Sequence, residues 1–233
     1  MRFWMMRVTR RATLTSGYGS EVELRRGLVR FGRGLSRLGF MPGTSGNLSV
    51  RLDEERILAT PTGRSKALLR SDEMVVVDLE GRQLAGSLRV TSEIGMHLAI
   101  YRMRPDAVAV IHSHPPIATG FACSGRPLDE PLCSEAVMTL GVVPLAPYAT
   151  TGTDDLAASL EPLIPQHSAI LLANHGAVTF GGDLLDAYLK METVEHFAHI
   201  CLVAHQLGSR RPLEGRAVDQ LREARERYLA NVH

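Results

Sequence analysis

Two histidines separated by one residue close the run Val-Ala-Val-Ile-His-Ser-His-Pro-Pro at 108–116, and no other stretch constrains this chain as strongly. Three of the four apolar residues before His112 are Val or Ile, the composition of a buried strand. In a strand, residues i and i+2 share a face, so the imidazoles of His112 and His114 leave the same side roughly 7 Å apart. That separation lets two Nε2 atoms meet on one ion. Pro115 and Pro116 lack a backbone donor and end the strand there. The pair therefore sits at a strand's carboxyl end, where α/β sheets carry their chemistry. A single His on an apolar face is ordinarily a core residue satisfied by a hydrogen bond, whereas two at this spacing and place point to a metal site.

Bulk properties narrow the class. The chain has 233 residues, 45% of them hydrophobic and 22% charged, enough for one sizeable core. A flexible tail over 1–20 and one domain over 21–233 are expected. A net charge of +1 and 5% aromatics leave no basic stripe or exposed stacking residues for a nucleic acid. Arg7, Arg10 and Arg11 break up the apolar N-terminus before any export signal could form. No stretch approaches the roughly 20 apolar residues of a membrane span. Cys123, Cys133 and Cys201 are odd in number and widely spaced, which fits a reducing cytoplasm. Lysine is confined to Lys66 and Lys190, and asparagine to Asn47, Asn174 and Asn231.

Hydrophobic periodicity predicts a helix over Glu21–Leu38, with Leu24, Leu28, Val29, Phe31, Leu35 and Leu38 at helical spacing. A Gly-rich loop, Gly39–Asn47, leads to a strand over Leu48–Leu52 with Ile57–Thr60 as its hairpin partner and a turn at Pro61-Thr62-Gly63. Met74–Leu79 reads as another strand. Thr91 or Ser92 caps a helix running to about Arg104, and strand 108–114 follows. Val142–Tyr148 is a short extended segment, Asp154–Leu163 a helix, and Ala169–Ala173 a buried strand running into Asn174-His175-Gly176. A long helix over Leu184–Leu207 and a charged one over Asp219–Ala230 complete the chain. Several short strand-to-strand connections imply an α/β domain whose sheet is mixed or antiparallel, not doubly wound and parallel.

Three features converge on one chemistry: Thr91-Ser92-Glu93 at a helix start, His112-x-His114 at one strand end, and Asn174-His175-Gly176 at another. A carboxylate and three imidazoles suit a tetrahedral Zn²⁺. Read with Gly43-Thr-Ser-Gly-Asn47 and Thr60-Pro-Thr-Gly63, the ordered set resembles the class II aldolase/adducin family over roughly residues 21–230. Within that family it resembles the bacterial branch that cleaves L-fuculose 1-phosphate.

The resemblance implies a three-layer α/β/α domain around a mixed, largely antiparallel sheet. It makes His112, His114 and His175 the ligands of a Zn²⁺, with Mn²⁺ or Co²⁺ as substitutes. Glu93 becomes the fourth ligand at rest and the catalytic base once substrate displaces it. A dication stabilises the enediolate that forms next to a ketone, and a carboxylate released beside the substrate carbon is already oriented as a base. Asn47, Thr62, Gly63, Thr91 and Ser92 match the family's phosphate pocket, whose hydroxyls, amide and exposed backbone N–H groups suit a dianion. Tyr228 matches a C-terminal Tyr that reaches a neighbouring subunit's site and moves a proton at the leaving aldehyde. The implied partner is a small phosphorylated sugar, and the implied assembly a homotetramer with active sites at its interfaces.

The implied reaction is cleavage of a ketose 1-phosphate into dihydroxyacetone phosphate and a short aldehyde. One family feature is missing: no Tyr lies near Cys133, about a dozen residues before Ala146-Pro-Tyr-Ala-Thr150, where that branch carries one. The family's pentulose-phosphate 4-epimerases usually hold Asp where Glu93 stands. Its methylthioribulose-phosphate dehydratases and acid-phosphate decarboxylases keep the metal site and remain alternatives, and its adducin-like interaction modules lack the ligands. Elsewhere, His97 reads as a packed or locally paired histidine, and Glu192, Glu195, His196 and His199 as a solvated or interface helix face. Lys66 in a polar loop and Lys190 on a helix offer no Schiff-base site.

Overall fold

A computed structural model of the chain describes residues 19–232; residues 1–18, where most of the expected tail falls, and residue 233 lie outside it. The first helix, α1 (Glu21–Arg37), opens on a reciprocal cap, Ser20 Oγ accepting the Glu23 amide while the Glu23 carboxylate accepts the Ser20 amide. Four strands follow: β1 (Asn47–Arg51), β2 (Arg56–Ala59), β3 (Val75–Asp78) and β4 (Gln83–Ala85). Helix α2 (Ile94–Met103) leads to β5 (Ala109–Ser113), and then come α3 (Pro116–Cys123), α4 (Ser134–Thr139), β6 (Leu145–Ala146) and α5 (Asp154–Leu160). The chain ends with β7 (Ala169–Leu172), β8 (Gly176–Gly181), α6 (Leu184–Gln206) and α7 (Arg216–Val232).

The strands form one sheet in the order β4-β3-β2-β1-β5-β8-β7-β6. Every neighbouring pair is antiparallel except β6–β7, so the sheet is mixed and largely antiparallel, as expected. Alternation divides its side chains between two cores. Leu48, Val50, Ala109 and Ile111 pack with α1, α3, α4 and α6 on one face, and Ile57, Val110, Ile170 and Val178 with α2 and α5 on the other. The result is three layers, α/β/α. No described helix is long and apolar enough to cross a membrane.

Four elements differ from the periodicity reading: β4, α3, α4 and β8. Pro115 and Pro116 do end β5, but Pro116 also opens α3, because a missing N–H costs nothing in a helix's first turn. Strand β8 is buried on both faces and begins and ends in glycine, so it shows no alternation. The cap of α2 differs too. Glu93 is the cap residue, without a side-chain cap bond, and Thr91 Oγ1 accepts the Glu93 amide at 3.3 Å. Thr91 is held one step earlier because its own amide donates to the Thr60 carbonyl, while the Thr62 amide donates to that of Arg89.

Candidate metal centre

The register of the sheet brings the site together. Asn47 at the start of β1 pairs with His112 in β5, which pairs on its other side with Val178 in β8. His114 lies just beyond the end of β5, and its amide donates to the Phe40 carbonyl. His175 sits in the tight turn between β7 and β8, where Asn174 takes up a left-handed φ of 57°, a conformation Asn tolerates better than most residues. The Nε2 atoms of His112 and His114 are 3.0 Å apart. One donor atom from each of His112, His114 and His175 falls within 4.8 Å of the others, so the triad could hold a metal ion.

Protonation supports that use. His112 Nδ1 lies 2.9 Å from the Ala177 carbonyl, which only accepts, so Nδ1 carries the proton and Nε2 presents its lone pair to the cluster. Burial pushes the His112 imidazole down to about 3, keeping it neutral as a ligand must be. Burial likewise lowers His114, helped by the neighbouring His175.

Glu93 closes the cluster. Its Oε1 is 3.1 Å from His175 Nε2, and its Oε2 is 3.4 Å from His112 Nε2. Oε2 also accepts a hydrogen bond from Asn47 Nδ2 at 2.7 Å. Burial works to raise this carboxyl, but His112, His175 and Asn47 outweigh it and hold the group well below the usual carboxylate range. Oε1 is buried without a hydrogen-bond donor. A buried acceptor left open beside His175, one of three clustered imidazoles, fits a divalent cation, and the nitrogen and oxygen donor set fits the same conclusion.

Backbone hydrogen bonds join two of the segments expected around a phosphate. Loop 60–63 lies alongside residues 89–91 through the Thr91–Thr60 and Thr62–Arg89 backbone bonds, so Thr62 and Gly63 neighbour Thr91 and Ser92. Ser92 is exposed, and Gly152 of the 149–153 loop packs beside it. Asn47 directs Oδ1 at His97 and one N–H at Glu93, leaving its second N–H unassigned. The Gly43–Asn47 loop passes so close to β5 that a Cβ on Gly46 would lie 2.9 Å from the His112 carbonyl, and its φ is +71°.

Lys66 corrects the polar-loop reading. It is 2% exposed, and Nζ donates to the carbonyls of Thr44 and Arg64, both at 2.8 Å. It therefore ties the Gly43–Asn47 loop to the one after Thr60. Burial brings its ammonium down to about 8 despite the opposing pull of Glu93. The sequence signal was its rarity, as one of two lysines.

His97 is fully buried within a polar chain, and its ring meets Asn47 and not the triad. His196 and His199 are exposed, as a solvated face requires. Glu195 does more than that reading assigned: its two oxygens accept the amides of Ile117 and Ala118, capping α3 directly after His114-Pro115-Pro116. Tyr228 falls on the backbone of α7, and its side chain lies outside the described residues.

The fold is shared with known proteins. Residues 26–202 match the class II aldolase and adducin N-terminal domain. The chain is 38% identical over 178 residues to the 3-oxo-tetronate 4-phosphate decarboxylase of Haemophilus influenzae, covering 74% of this chain and 84% of that one. It is 37% identical over 180 residues to the 5-methylthioribulose-1-phosphate/5-deoxyribulose-1-phosphate aldolase of Rhodospirillum rubrum, covering 77% and 80%. Among solved structures, an L-fuculose 1-phosphate aldolase superposes with a TM-score of 0.82 at 31% identity, over 88% of this chain and 97% of that one. The chain belongs to the class II aldolase and adducin family.

Proposed function

We propose that the chain is a zinc-dependent lyase that breaks a carbon–carbon bond beside the ketone of a small phosphorylated sugar and releases dihydroxyacetone phosphate. The observation that carries this reading is the cluster of three imidazoles, with the Glu93 carboxylate against two of them and its Oε1 open. His112, His114 and His175 would hold the cation, with Glu93 as fourth ligand at rest. When bound, the cation polarises the substrate ketone and offsets the negative charge that develops on its oxygen.

The chain's own residues do the rest. Asn47, Thr62, Gly63, Thr91 and Ser92 bind the phosphate and fix the register of the three-carbon fragment. Glu93 moves the proton at C3 of dihydroxyacetone phosphate. In the leading reading the substrate is a ketose 1-phosphate such as L-fuculose 1-phosphate. The C3–C4 bond breaks, its electron pair stays on C3, and the C4 hydroxyl gives up its proton to become an aldehyde. Tyr228 from a neighbouring subunit of a homotetramer passes the C4 hydroxyl proton on to solvent. C3 of the enediolate takes a proton that Glu93, freed by the substrate, has drawn from solvent, so one proton leaves O4 and one arrives at C3.

A second reading is favoured by two observations: the 38% identity to a 3-oxo-tetronate 4-phosphate decarboxylase, and the missing Tyr near Cys133 where an aldehyde would be met. Loss of the C1 carboxylate as CO₂ from such a 3-oxo acid leaves the electron pair on C2. The product is the same enediolate, and one proton again yields dihydroxyacetone phosphate. Both readings use the same metal, phosphate pocket and proton, and differ only in the leaving group.

The test is release of dihydroxyacetone phosphate from L-fuculose 1-phosphate, 5-deoxyribulose 1-phosphate and 3-oxo-tetronate 4-phosphate, with and without added Zn²⁺. Turnover of a ketose phosphate supports the leading reading, and turnover of the 3-oxo acid alone supports the second. No release from any of the three would refute both. In parallel, Glu93→Gln should retain zinc yet lose solvent-proton exchange at C3 of dihydroxyacetone phosphate.

A further inference from the structure

Behind Glu93 and Asn47 runs a chain of buried polar side chains, His97, Ser49 and Tyr101, that the proposed chemistry does not use. Asn47 Nδ2 lies 2.7 Å from Glu93 Oε2, and Asn47 Oδ1 lies 2.5 Å from His97 Nε2. His97 Nδ1 lies 2.6 Å from Ser49 Oγ, which lies 2.8 Å from the Tyr101 hydroxyl. Two periodicities build it. Glu93, His97 and Tyr101 recur every fourth residue along α2 and its cap, while Asn47 and Ser49 recur every second residue along β1. One stripe of the helix thus lies against one face of the strand. Arg51 continues the strand row, its guanidinium 4.8 Å from the Tyr101 ring centroid and donating to the Tyr101 carbonyl at 2.5 Å.

The direction of every hydrogen in this chain follows from its ends. An ionised carboxylate only accepts, so the amide nitrogen of Asn47 faces Glu93 and Oδ1 is left for His97. Oδ1 also only accepts, so His97 Nε2 carries the proton and Nδ1 is a lone pair. Ser49 must then donate to Nδ1, and the Tyr101 hydroxyl to Ser49. Turning the Asn47 amide over would set Oδ1 against the ionised carboxylate, a repulsion that neither tautomer of His97 relieves. His97 is fully buried, and burial lowers its imidazole to about 4, in keeping with a neutral ring.

We infer that His97 is a positioning residue for the lyase reaction: as the Nε2–H tautomer it locks the Asn47 amide, and through it the Glu93 carboxylate, in the orientation from which Glu93 moves the C3 proton. This rests on the proposed role of Glu93. The triad makes no contact with His97, so zinc binding should survive its loss while the proton step does not. Gln retains a donor toward Asn47; Phe fills the same space without one.

The experiment uses the zinc-loaded full chain and follows C3 proton exchange of dihydroxyacetone phosphate together with zinc content. His97→Phe should lower the exchange rate constant by about 10- to 100-fold, the usual range for a group that orients another. KM and zinc per chain should change little, and His97→Gln should recover most of the rate. Independently, ¹⁵N spectra of histidine-labelled protein should show His97 neutral and protonated on Nε2. Equal losses in both variants, no loss in either, or a proton on Nδ1 overturns the inference. Should His97→Phe not fold, the tautomer and the His97→Gln rate decide it. If Glu93→Gln exchanges normally, the proposed function itself fails, whereas a dead Glu93→Gln beside a fully active His97→Phe removes only this inference.

Discussion

Gly176 leaves no room for a side chain beneath the His114 ring: a Cβ there would lie 2.6 Å from His114 Cδ2. It would also stand 2.6 Å from the Ser113 carbonyl and 3.3 Å from His112 Cε1. Neither the backbone carbonyl nor a ring packed among other rings can yield by several tenths of an ångström. Gly176→Ala should therefore displace His114 against His112 and weaken binding of the proposed zinc by about 10- to 100-fold. Stability of the metal-free protein should fall by only about 1–3 kcal/mol, the usual cost of overpacking. Competition with a chelator measures the first and urea unfolding the second. Unchanged zinc affinity would show that the rings have slack.

Glu195 fixes the chain shortly after the same histidine. Its Oε1 accepts the Ile117 amide at 2.9 Å and its Oε2 the Ala118 amide at 2.8 Å, two of the free donors at the start of α3. Pro115, the residue before that helix, offers no side-chain cap, so the distant carboxylate takes its place. Glu195→Ala should cost about 1–2 kcal/mol of stability, the range of a lost cap. Because α3 begins two residues after His114, the midpoint of thermal unfolding should fall more in zinc-loaded than in zinc-free protein. Equal shifts would confine Glu195 to capping.

Much of this site was legible because its chemistry is written in local spacing. His112 and His114 need only a strand's alternation to share a face, and the sheet's antiparallel character followed from the short connections around Leu48–Thr60. What spacing could not reveal was contact between distant segments. Glu195 looked like one of several helix-surface acids because the amides it caps lie 77 and 78 residues away. Lys66 looked solvated because it follows the polar Arg64-Ser65, whereas its partners include the Thr44 carbonyl of another loop. His97 was rightly separated from the triad, but its link to Glu93 passes through Asn47 on a different element. Strand β8 escaped notice because burial on both faces erases the alternation that marks a half-exposed strand.

The buried His97 also makes stability depend on pH. Its folded-state value of about 4 lies below the 6.5 of a free imidazole, so the unfolded chain binds the proton more readily. The stability this contributes is fully present above about pH 6.5 and is lost as pH falls toward 4. A shift of this size corresponds to about 3 kcal/mol at most. His112 moves in the same direction, so a slope remains when His97 is replaced. Urea unfolding of zinc-free protein at pH 7, 5.5 and 4.5 should show a steeper decline in the wild type than in His97→Gln. Parallel declines would mean the ring is already protonated in the fold.

Lys66 provides the separate test of the phosphate loops. Its ammonium joins the Thr44 and Arg64 carbonyls, and so holds together two segments that carry Asn47 and Thr62-Gly63. Lys66→Met keeps the buried hydrocarbon stem but leaves both carbonyls without their donor and removes a positive charge near the expected dianion. KM for a phosphorylated substrate should rise by about tenfold with a smaller change in kcat, since substrate and transition state carry the same phosphate. Inhibition by inorganic phosphate should weaken in parallel. Lys66→Arg should not restore it, because a planar guanidinium cannot take the place of a compact ammonium in this buried space. Zinc content should be unaffected, which separates this loss from those at Gly176 and Glu195. A fall in kcat at constant KM would instead move Lys66 from the phosphate loops to the proton-transfer step.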